Sequence, residues 1–271
     1  MTAHEYVIAI PSHRRAPRVR ETLAWLRKTD VDLARVHLFL SDAEDTQAYA
    51  DIDAIKVETG AKNVVEKFNA IHRHFTPGTR VFVLEDDVTV VVADDAGKPT
   101  PCLALDALIT AGFAGVGRAG LWGIVPHANP FYFGGKTTQT LKLVVAHAFG
   151  FVSTQDPRLE VTLTGKSDYE RTILYWIRYG RVTRVDTAGC LTKSYTAPGG
   201  MQSDLTRDAR AAAEKSACDY LVNRYPHLIG HNKKKTSLFA ELSFKIASPQ
   251  EPAYLQVVQR KLDLERGYAR T

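Results

Sequence analysis

Short apolar runs alternate with stretches of helical periodicity through the first third of the chain. Tyr6-Val7-Ile8-Ala9-Ile10, stopped by Pro11, predicts a first strand. From Arg18 to Lys28, Val19, Leu23 and Leu26 recur at helical spacing with Trp25 between them. Val36 to Leu40 predicts a second strand ending in Ser41-Asp42, Ala43 to Ala54 a helix, and Ile55-Lys56-Val57 a third strand. After Gly60, the stretch Asn63 to Phe75 places Val64, Phe68, Ile71 and Phe75 on one helical face. Pro77-Gly78 then turns the chain into Val81-Phe82-Val83-Leu84, an unbroken apolar run that predicts a strand buried on both faces. Such alternation argues for a mostly parallel sheet with helices on both sides.

The pattern changes beyond residue 95. Asp94-Asp95-Ala96-Gly97-Lys98-Pro99 is turn chemistry and suits a hairpin. Cys102 to Val116 reads as helical, whereas Gly120 to Pro126, Phe131 to Phe133 and Leu141 to Ser153 read as strands, several of them antiparallel. Ser167-Asp168-Tyr169-Glu170 has the form of a capping box, opening a helix that Gly180 ends after Tyr179. Arg181 to Asp186 predicts a strand, Ser203 to Tyr225 a long helix stopped by Pro226, and Tyr254 to Tyr268 a final amphipathic helix. The expected organisation is one unit over 1–271. A Rossmann-like nucleotide-binding half spans 1–95, and an acceptor half with a helical tail spans 96–271.

Composition narrows this only a little. The 271 residues suffice for a large core, and 45% apolar with 24% charged residues is ordinary for a globular protein. A formal net charge of +5 permits a polyanionic partner without requiring one. Cys102, Cys190 and Cys218 are far apart, which suits neither a disulfide framework nor a zinc knuckle and fits a reducing compartment. No signal-type segment or long apolar window is present, so the expectation is a cytoplasmic protein without membrane association.

In an open α/β sheet, ligands bind beyond the carboxyl ends of the strands. Polar groups follow four successive predicted strands here: Pro11-Ser12-His13, then Asp42, then Lys62-Asn63, then Glu85-Asp86-Asp87. Singly, Asp42 suits a helix cap, Lys62 a solvated lysine and the acidic triplet a surface turn. Together they suit a nucleotide diphosphate and a divalent cation held by carboxylates. Asp168 either stabilises the start of its helix through the dipole or serves as a general base at that start. Glu170 is then the capping partner of Ser167. Thr196-Ala197-Pro198-Gly199-Gly200-Met201 is a glycine turn that could approach phosphate or sugar, or an ordinary loop. His147, within an apolar run, reads as a core residue. His231, before Lys233-Lys234-Lys235, could reach a metal or a phosphate. Trp122, Phe131, Tyr132 and Phe133 could form core or a stacking platform for bases and sugars.

Taken in order, I-P-S-H-R-R (10–15), Gly60 with Lys62-Asn63, L-E-D-D-V (84–88), G-L-W-G-I-V-P (120–126), D-Y-E-R-T (168–172) and K-S-Y-T-A-P-G-G-M (193–201) resemble a GT-A fold nucleotide-sugar glycosyltransferase. More narrowly, the last segments resemble the TET-associated glycosyltransferases of phages and bacteria, which glycosylate hydroxymethylated pyrimidines in DNA. The likeness runs from about residue 5 to residue 202.

This resemblance implies that Glu85-Asp86-Asp87 stands for the D-x-D motif. Asp87 would bind Mn²⁺ or Mg²⁺ beside Glu85, with His231 as a further candidate ligand. Glu85 and Asp86 would also position the ribose of a nucleotide-sugar, expected to be a UDP-sugar. Asp42 would lie by the nucleobase and Lys62 by the ribose or diphosphate, while Pro11, Ser12, Asn63, Gly199 and Gly200 would complete the donor pocket. Asp168 would be the base of an inverting transfer to DNA carrying 5-hydroxymethyl pyrimidine. Arg14, Arg15, Arg18 and Arg20 with Lys233 to Lys235 would contact phosphates. The first position of the motif is Glu where the family pattern has Asp. A transferase acting on a glycan or lipid-linked acceptor, and an inactive DNA-binding module of the same fold, remain alternatives.

Overall fold

In a computed structural model of the protein, residues 6–192, 206–232, 241–245 and 252–268 are described. The chain runs β1 (Val7–Pro11), α1 (Ala16–Leu26), β2 (Val36–Leu40), α2 (Ala43–Ala48), β3 (Ile55–Glu58), α3 (Val64–His74), β4 (Arg80–Leu84), β5 (Val88–Ala93) and β6 (Pro99–Pro101). It continues through α4 (Leu105–Ala114), β7 (Leu121–Val125), β8 (Thr137–Thr138), β9 (Ala148–Val152), α5 (Ser167–Tyr179), β10 (Thr183–Thr192), α6 (Arg207–Arg224), β11 (Ile229–His231), β12 (Leu242–Phe244) and α7 (Pro252–Glu265).

A ten-stranded sheet has the order β3-β2-β1-β4-β9-β7-β10-β5-β6, with β8 paired to β10 outside that path. The pairings make it mixed and mostly parallel: β1 to β4, β6, β7 and β10 all point one way. Only β5, β8 and β9 run against them. A separate antiparallel pair, β11-β12, lies outside this sheet.

The unbroken apolar character of β4 has a direct packing cause. Phe82 and Leu84 enter the core shared with α1 and α4, including Val19, Leu23, Leu26, Ile109 and Phe113. Val81 and Val83 enter the opposite core with Phe68 and Ile71 of α3 and Ile173 of α5. Both faces are therefore covered by helices, the arrangement that a continuous apolar strand requires. Trp122 anchors the first core, stacked on Phe82 with ring centroids 5.5 Å apart and edge-on to Phe113.

Several predicted elements take a different form. The helix from Ala43 ends at Ala48, because Tyr49 turns inward, fully buried, and its hydroxyl joins the β1 loop. Phe131 to Phe133 is no strand: Asn129 accepts the Phe131 N–H and starts a 3-10 turn at Pro130, leaving Phe131 85% exposed. Within Leu141 to Ser153, only β9 is a strand; upstream, the Val144 N–H is bound by Thr172 Oγ1 rather than by a ladder. The strand expected over Arg181 to Asp186 continues to Thr192, with its register shifting between Val185 and Gly189. The Asp94–Pro99 hairpin forms as β5 and β6, with Asp94 Oδ1 accepting from Ala96 and Lys98 N–H.

The Trp122 indole fits only because Gly112 of α4 and Gly150 of β9 lack side chains. A Cβ on either would run into the ring. Gly150→Ala is therefore expected to destabilise the protein by about 1–3 kcal/mol through overpacking. Urea unfolding followed by Trp fluorescence measures it. A midpoint equal to that of the unmodified protein would refute the packing argument.

Candidate active site

The strands that share one direction end on one edge, and this gathers the polar groups. Ser12 follows β1, Ser41 and Asp42 follow β2, Glu85-Asp86-Asp87 follow β4, and Thr192 closes β10. His147 reaches the same edge because it precedes β9, which runs the opposite way beside β4.

Ser12 and Asp86 form the centre. The Ser12 hydroxyl donates to Asp86 Oδ2 at 2.5 Å and meets the Tyr49 hydroxyl at 2.7 Å. Having given its one proton to Asp86, Ser12 accepts from Tyr49. Tyr49 in turn accepts from the Arg15 N–H at 2.9 Å. Thr22 Oγ1 donates to the Asp86 carbonyl at 2.7 Å, tying the acidic loop to α1. Burial pushes the Asp86 carboxyl up to about 6 despite the Ser12 hydrogen bond and the Arg15 charge. Asp87 is also raised, by burial and then by Glu85. Glu85 differs. Burial opposes its ionisation, yet His147 Nδ1 at 2.5 Å from Oε2 holds it below the usual carboxylate range. His147 is raised by the same contact against its own burial. The pair is a carboxylate beside an imidazolium, so His147 is not the core residue its apolar surroundings suggested.

Behind this edge lies a second network. Lys67 of α3 is only 2% exposed, and its ammonium donates to the Ser12 carbonyl at 2.5 Å and Ser41 Oγ at 2.9 Å. Asp45 accepts from Arg14 N–H at 2.8 Å and Ser41 N–H at 3.1 Å, and His13 Nδ1 lies 2.9 Å from Ser41 Oγ. The loops after β1 and β2 are thereby held together from below.

Asp168 lies near the start of α5, and the local structure there departs from a capping box. The N-cap is Lys166, in the left-handed region with φ 60° and no capping side-chain bond. Its ammonium is held by Glu214 of α6 at 3.1 Å. Glu170 turns away from Ser167 and accepts from Thr162 N–H, Thr162 Oγ1 and Leu163 N–H, at 2.7, 2.7 and 3.0 Å. Asp168 Oδ1 accepts from the Tyr169 N–H at 2.9 Å. Burial raises the Asp168 carboxyl, and Arg171 opposes the shift. Arg171 is buried with its guanidinium 3.7 Å over the Phe149 ring and its three nitrogens without hydrogen-bond partners. Burial lowers it to about 10, and the charges of Asp168 and Glu85 pull it back. His147 feels Glu85, Asp168 and Asp87 together, so the base candidate and the acidic loop share one electrostatic environment.

The sequence matches no family model and no curated protein. Solved structures are informative. The chain is similar to S. aureus TarS 1-349 in complex with UDP-GlcNAc, at 13% identity and a TM-score of 0.53, covering 97% of this chain and 72% of that one. It is also similar to the mannosyltransferase PcManGT from Pyrobaculum calidifontis in complex with GDP-Man and Mn²⁺, at 14% identity and a TM-score of 0.54, covering 98% and 76%. The chain has a GT-A-like fold.

Within this GT-A frame the remaining expected residues are placed as follows. Asp42 and Asn63 are helix caps, accepting from Asp45 N–H at 2.8 Å and Glu66 N–H at 3.0 Å, and Lys62 is exposed beside them. Pro11 ends β1 directly before Ser12. His231 lies on β11 with Nε2 3.3 Å from Asp219, and no hydrogen bond or ion pair joins it to the acidic loop. Gly199, Gly200 and Lys233 to Lys235 lie outside the described residues. The arginines after β1 are engaged within the chain: Arg15 with Asp86 and Asp87, Arg18 with Glu21, Arg20 with Asp51.

A divalent cation of the Mg²⁺ or Mn²⁺ type is commonly held by one or two carboxylates plus phosphate oxygens. Among the described residues no group of three or more His, Cys, Asp or Glu side chains converges as a metal cage. Burial is the first cause of the raised Asp86 and Asp87 carboxyls, with neighbouring acids adding to it. As hard oxygen donors, these carboxylates are of the kind that fits such a cation.

Tyr49 and Lys67 escaped the sequence reading, which gave His147 to the core and Arg15 to phosphate contacts rather than to the acidic loop. Lys67 carried a signal: it stands three residues after Val64 and four before Ile71, on the apolar face of α3. Burial lowers its ammonium from 10.5 to about 8. Between those values the unfolded chain binds more protons, so stability should rise with pH across that window. Lys67→Met lacks this titration. Urea unfolding at pH ~7.5 and ~9.5 should show the unmodified protein gaining on the variant, and equal slopes would place the charge elsewhere.

Proposed function

We propose that the protein is a nucleotide-sugar-dependent glycosyltransferase of inverting type, acting on the hydroxymethyl group of a modified pyrimidine in DNA. The observation that carries the enzymatic part is the desolvated Ser12–Asp86–Asp87 edge, whose neighbour His147 also feels the charge of Asp168. GT-A neighbours crystallised with UDP-GlcNAc and with GDP-Man and Mn²⁺ support a sugar nucleotide as donor. No helix among the described residues is long and apolar enough to cross a membrane. The DNA acceptor rests on the D-Y-E-R-T and G-G-M likeness and is supported by the net positive charge.

In this reading Asp168 takes the proton of the acceptor hydroxyl while the oxygen attacks the anomeric carbon. The bond from that carbon to the diphosphate oxygen breaks, and its electron pair leaves with the nucleotide. Asp87 would hold a divalent cation, which supplies Lewis-acid stabilisation of the leaving diphosphate. Ser12 and Asp86 present the ribose side of the pocket, with Lys67 fixing the loop that carries Ser12. The Arg171 charge opposes the rise that burial imposes on the Asp168 carboxyl and so favours the ionised form that a base needs. A base in a duplex must leave the stack, or present its hydroxymethyl group in the major groove, to reach such an edge.

The deciding experiment incubates the protein with Mn²⁺, a panel of nucleotide-sugars and DNA containing 5-hydroxymethyl pyrimidines, followed by nucleoside mass spectrometry. A hexose or pentose mass on the base is expected. Transfer only to a glycan would give the acceptor to the other class of transferase. Binding of DNA without any donor turnover would indicate an inactive module.

Two variants test the assigned roles. Asp168→Asn should lower kcat by roughly 10²–10⁴-fold with little change in donor affinity. An unaltered rate returns Asp168 to a helix-start role. Asp87→Asn should weaken Mn²⁺ and nucleotide binding together in calorimetry, while near-native circular dichroism shows that the fold survives.

A further inference from the structure

The Arg15 guanidinium occupies the space that a cation at the acidic loop would need. Its Nη1 lies 3.3 Å from Asp86 Oδ1 and 3.3 Å from Asp87 Oδ2. The backbone around it is fixed, since the Arg15 N–H is held by Tyr49 and Arg15 stands at the N-cap of α1. The side chain is 18% exposed. Well-formed charge-assisted N–H···O contacts run about 2.7–2.9 Å. One nitrogen shared between two acceptors at 3.3 Å offsets their charge without locking either.

The two carboxylates are held unequally. Asp86 keeps the 2.5 Å Ser12 hydrogen bond and the tie from Thr22 to its carbonyl. Beyond Arg15, Asp87 Oδ1 is met by Thr192 Oγ1 at 3.5 Å, at the limit of a hydrogen bond. Asp87 is therefore the carboxylate that Arg15 can release, while Asp86 stays anchored. A planar guanidinium also matches a phosphate as well as it matches a carboxylate.

We propose that Arg15 is the resident counter-cation of this loop and makes metal and nucleotide binding mutually dependent. It neutralises Asp86 and Asp87 in the donor-free protein. It yields Asp87 to a divalent cation when a nucleoside diphosphate is present to accept the guanidinium instead. This deepens the donor-site reading above and rests on it. Its consequence is positive coupling: the cation alone competes with Arg15, whereas the diphosphate removes that competition. By linkage, the cation must then favour the nucleotide by the same factor.

Calorimetric titrations of Mn²⁺ alone, of UDP and GDP alone, and of each in the presence of the other test this in the full chain. For the unmodified protein, the better of the two nucleotides should tighten Mn²⁺ binding roughly fivefold or more, the low end of ordinary two-ligand coupling. Arg15→Met should bind Mn²⁺ alone more tightly, bind nucleotide with Mn²⁺ more weakly, and lose the coupling. A merely structural role would weaken both ligands, and that result, or unchanged Mn²⁺ affinity, overturns the proposal. Arg15→Lys covers the case in which Arg15→Met does not fold. A lysine keeps the charge and loses the fork, so nucleotide affinity should fall with Mn²⁺-alone affinity near the unmodified value; unchanged nucleotide affinity overturns the proposal. If the unmodified protein binds neither Mn²⁺ nor either nucleotide, the donor-site reading fails, and this inference with it. Binding of both without coupling removes only the inference.

Discussion

Three consecutive carboxylates at the end of a doubly covered strand impose the main constraint on this protein. Burying an unpaired charge is unfavourable by several kcal/mol, so each acid must find a cation, a donor or a proton. Glu85 finds His147, Asp86 finds Ser12, and Arg15 is shared between Asp86 and Asp87. The compensating groups come from β1, the loop after it, and the approach to β9. The acidic loop therefore depends on strand order: with β1 or β9 elsewhere in the sheet, its charges would face no partner.

The second layer beneath the edge explains why the loops after β1 and β2 can stay polar and still be ordered. Lys67 places a desolvated ammonium under Ser12 and Ser41, with Asp45 and Asp86 supplying the opposing charge. A buried lysine is unfavourable by itself, and breaking such a network by removing one partner leaves the others exposed to the same penalty. The same rule applies to α5. Arg171 stacks on Phe149 and answers Asp168 and Glu85 electrostatically, so a helix residue with no direct bond to either acid still shapes their protonation. The charges around the acidic loop are thus arranged in advance by the fold.

Several residues assigned to ligand contact have firm local duties as well. Asp42 and Asn63 close helix N-termini, and Glu66 returns its carboxylate to the Lys62 N–H and the Asn63 amide. Capping leaves a second carboxylate or amide atom available, so the two roles are compatible. Glu170 shows the reverse case. Its position three residues after Ser167 suggested a cap, yet it binds the Thr162–Leu163 backbone and lies 3.5 Å from Arg266 of the tail. It thereby helps to fix the approach to α5 and the end of the chain.

The sequence by itself determined whatever depends on neighbours along the chain. The periodicity of β1 to β4 and α1 to α5, the apolar continuity of Val81 to Leu84, the Asp94 hairpin and the Gly180 stop are all local consequences of side-chain spacing and backbone preference. The acidic triplet and Asp168 stand out in the sequence by position, after an apolar strand and at a helix start, although turn and helix-start carboxylates take the same positions. Only the tertiary structure decided what surrounds them. That β9 returns antiparallel beside β4 sets His147 against Glu85, and no local pattern encodes that direction. That Arg15 bridges Asp86 and Asp87 across some seventy residues follows from β1 lying beside β4, and that His231 pairs with Asp219 follows from the packing of α6 beside β11. Charge pairing acts through space, and a chain read in one dimension carries the charges but not the distances between them.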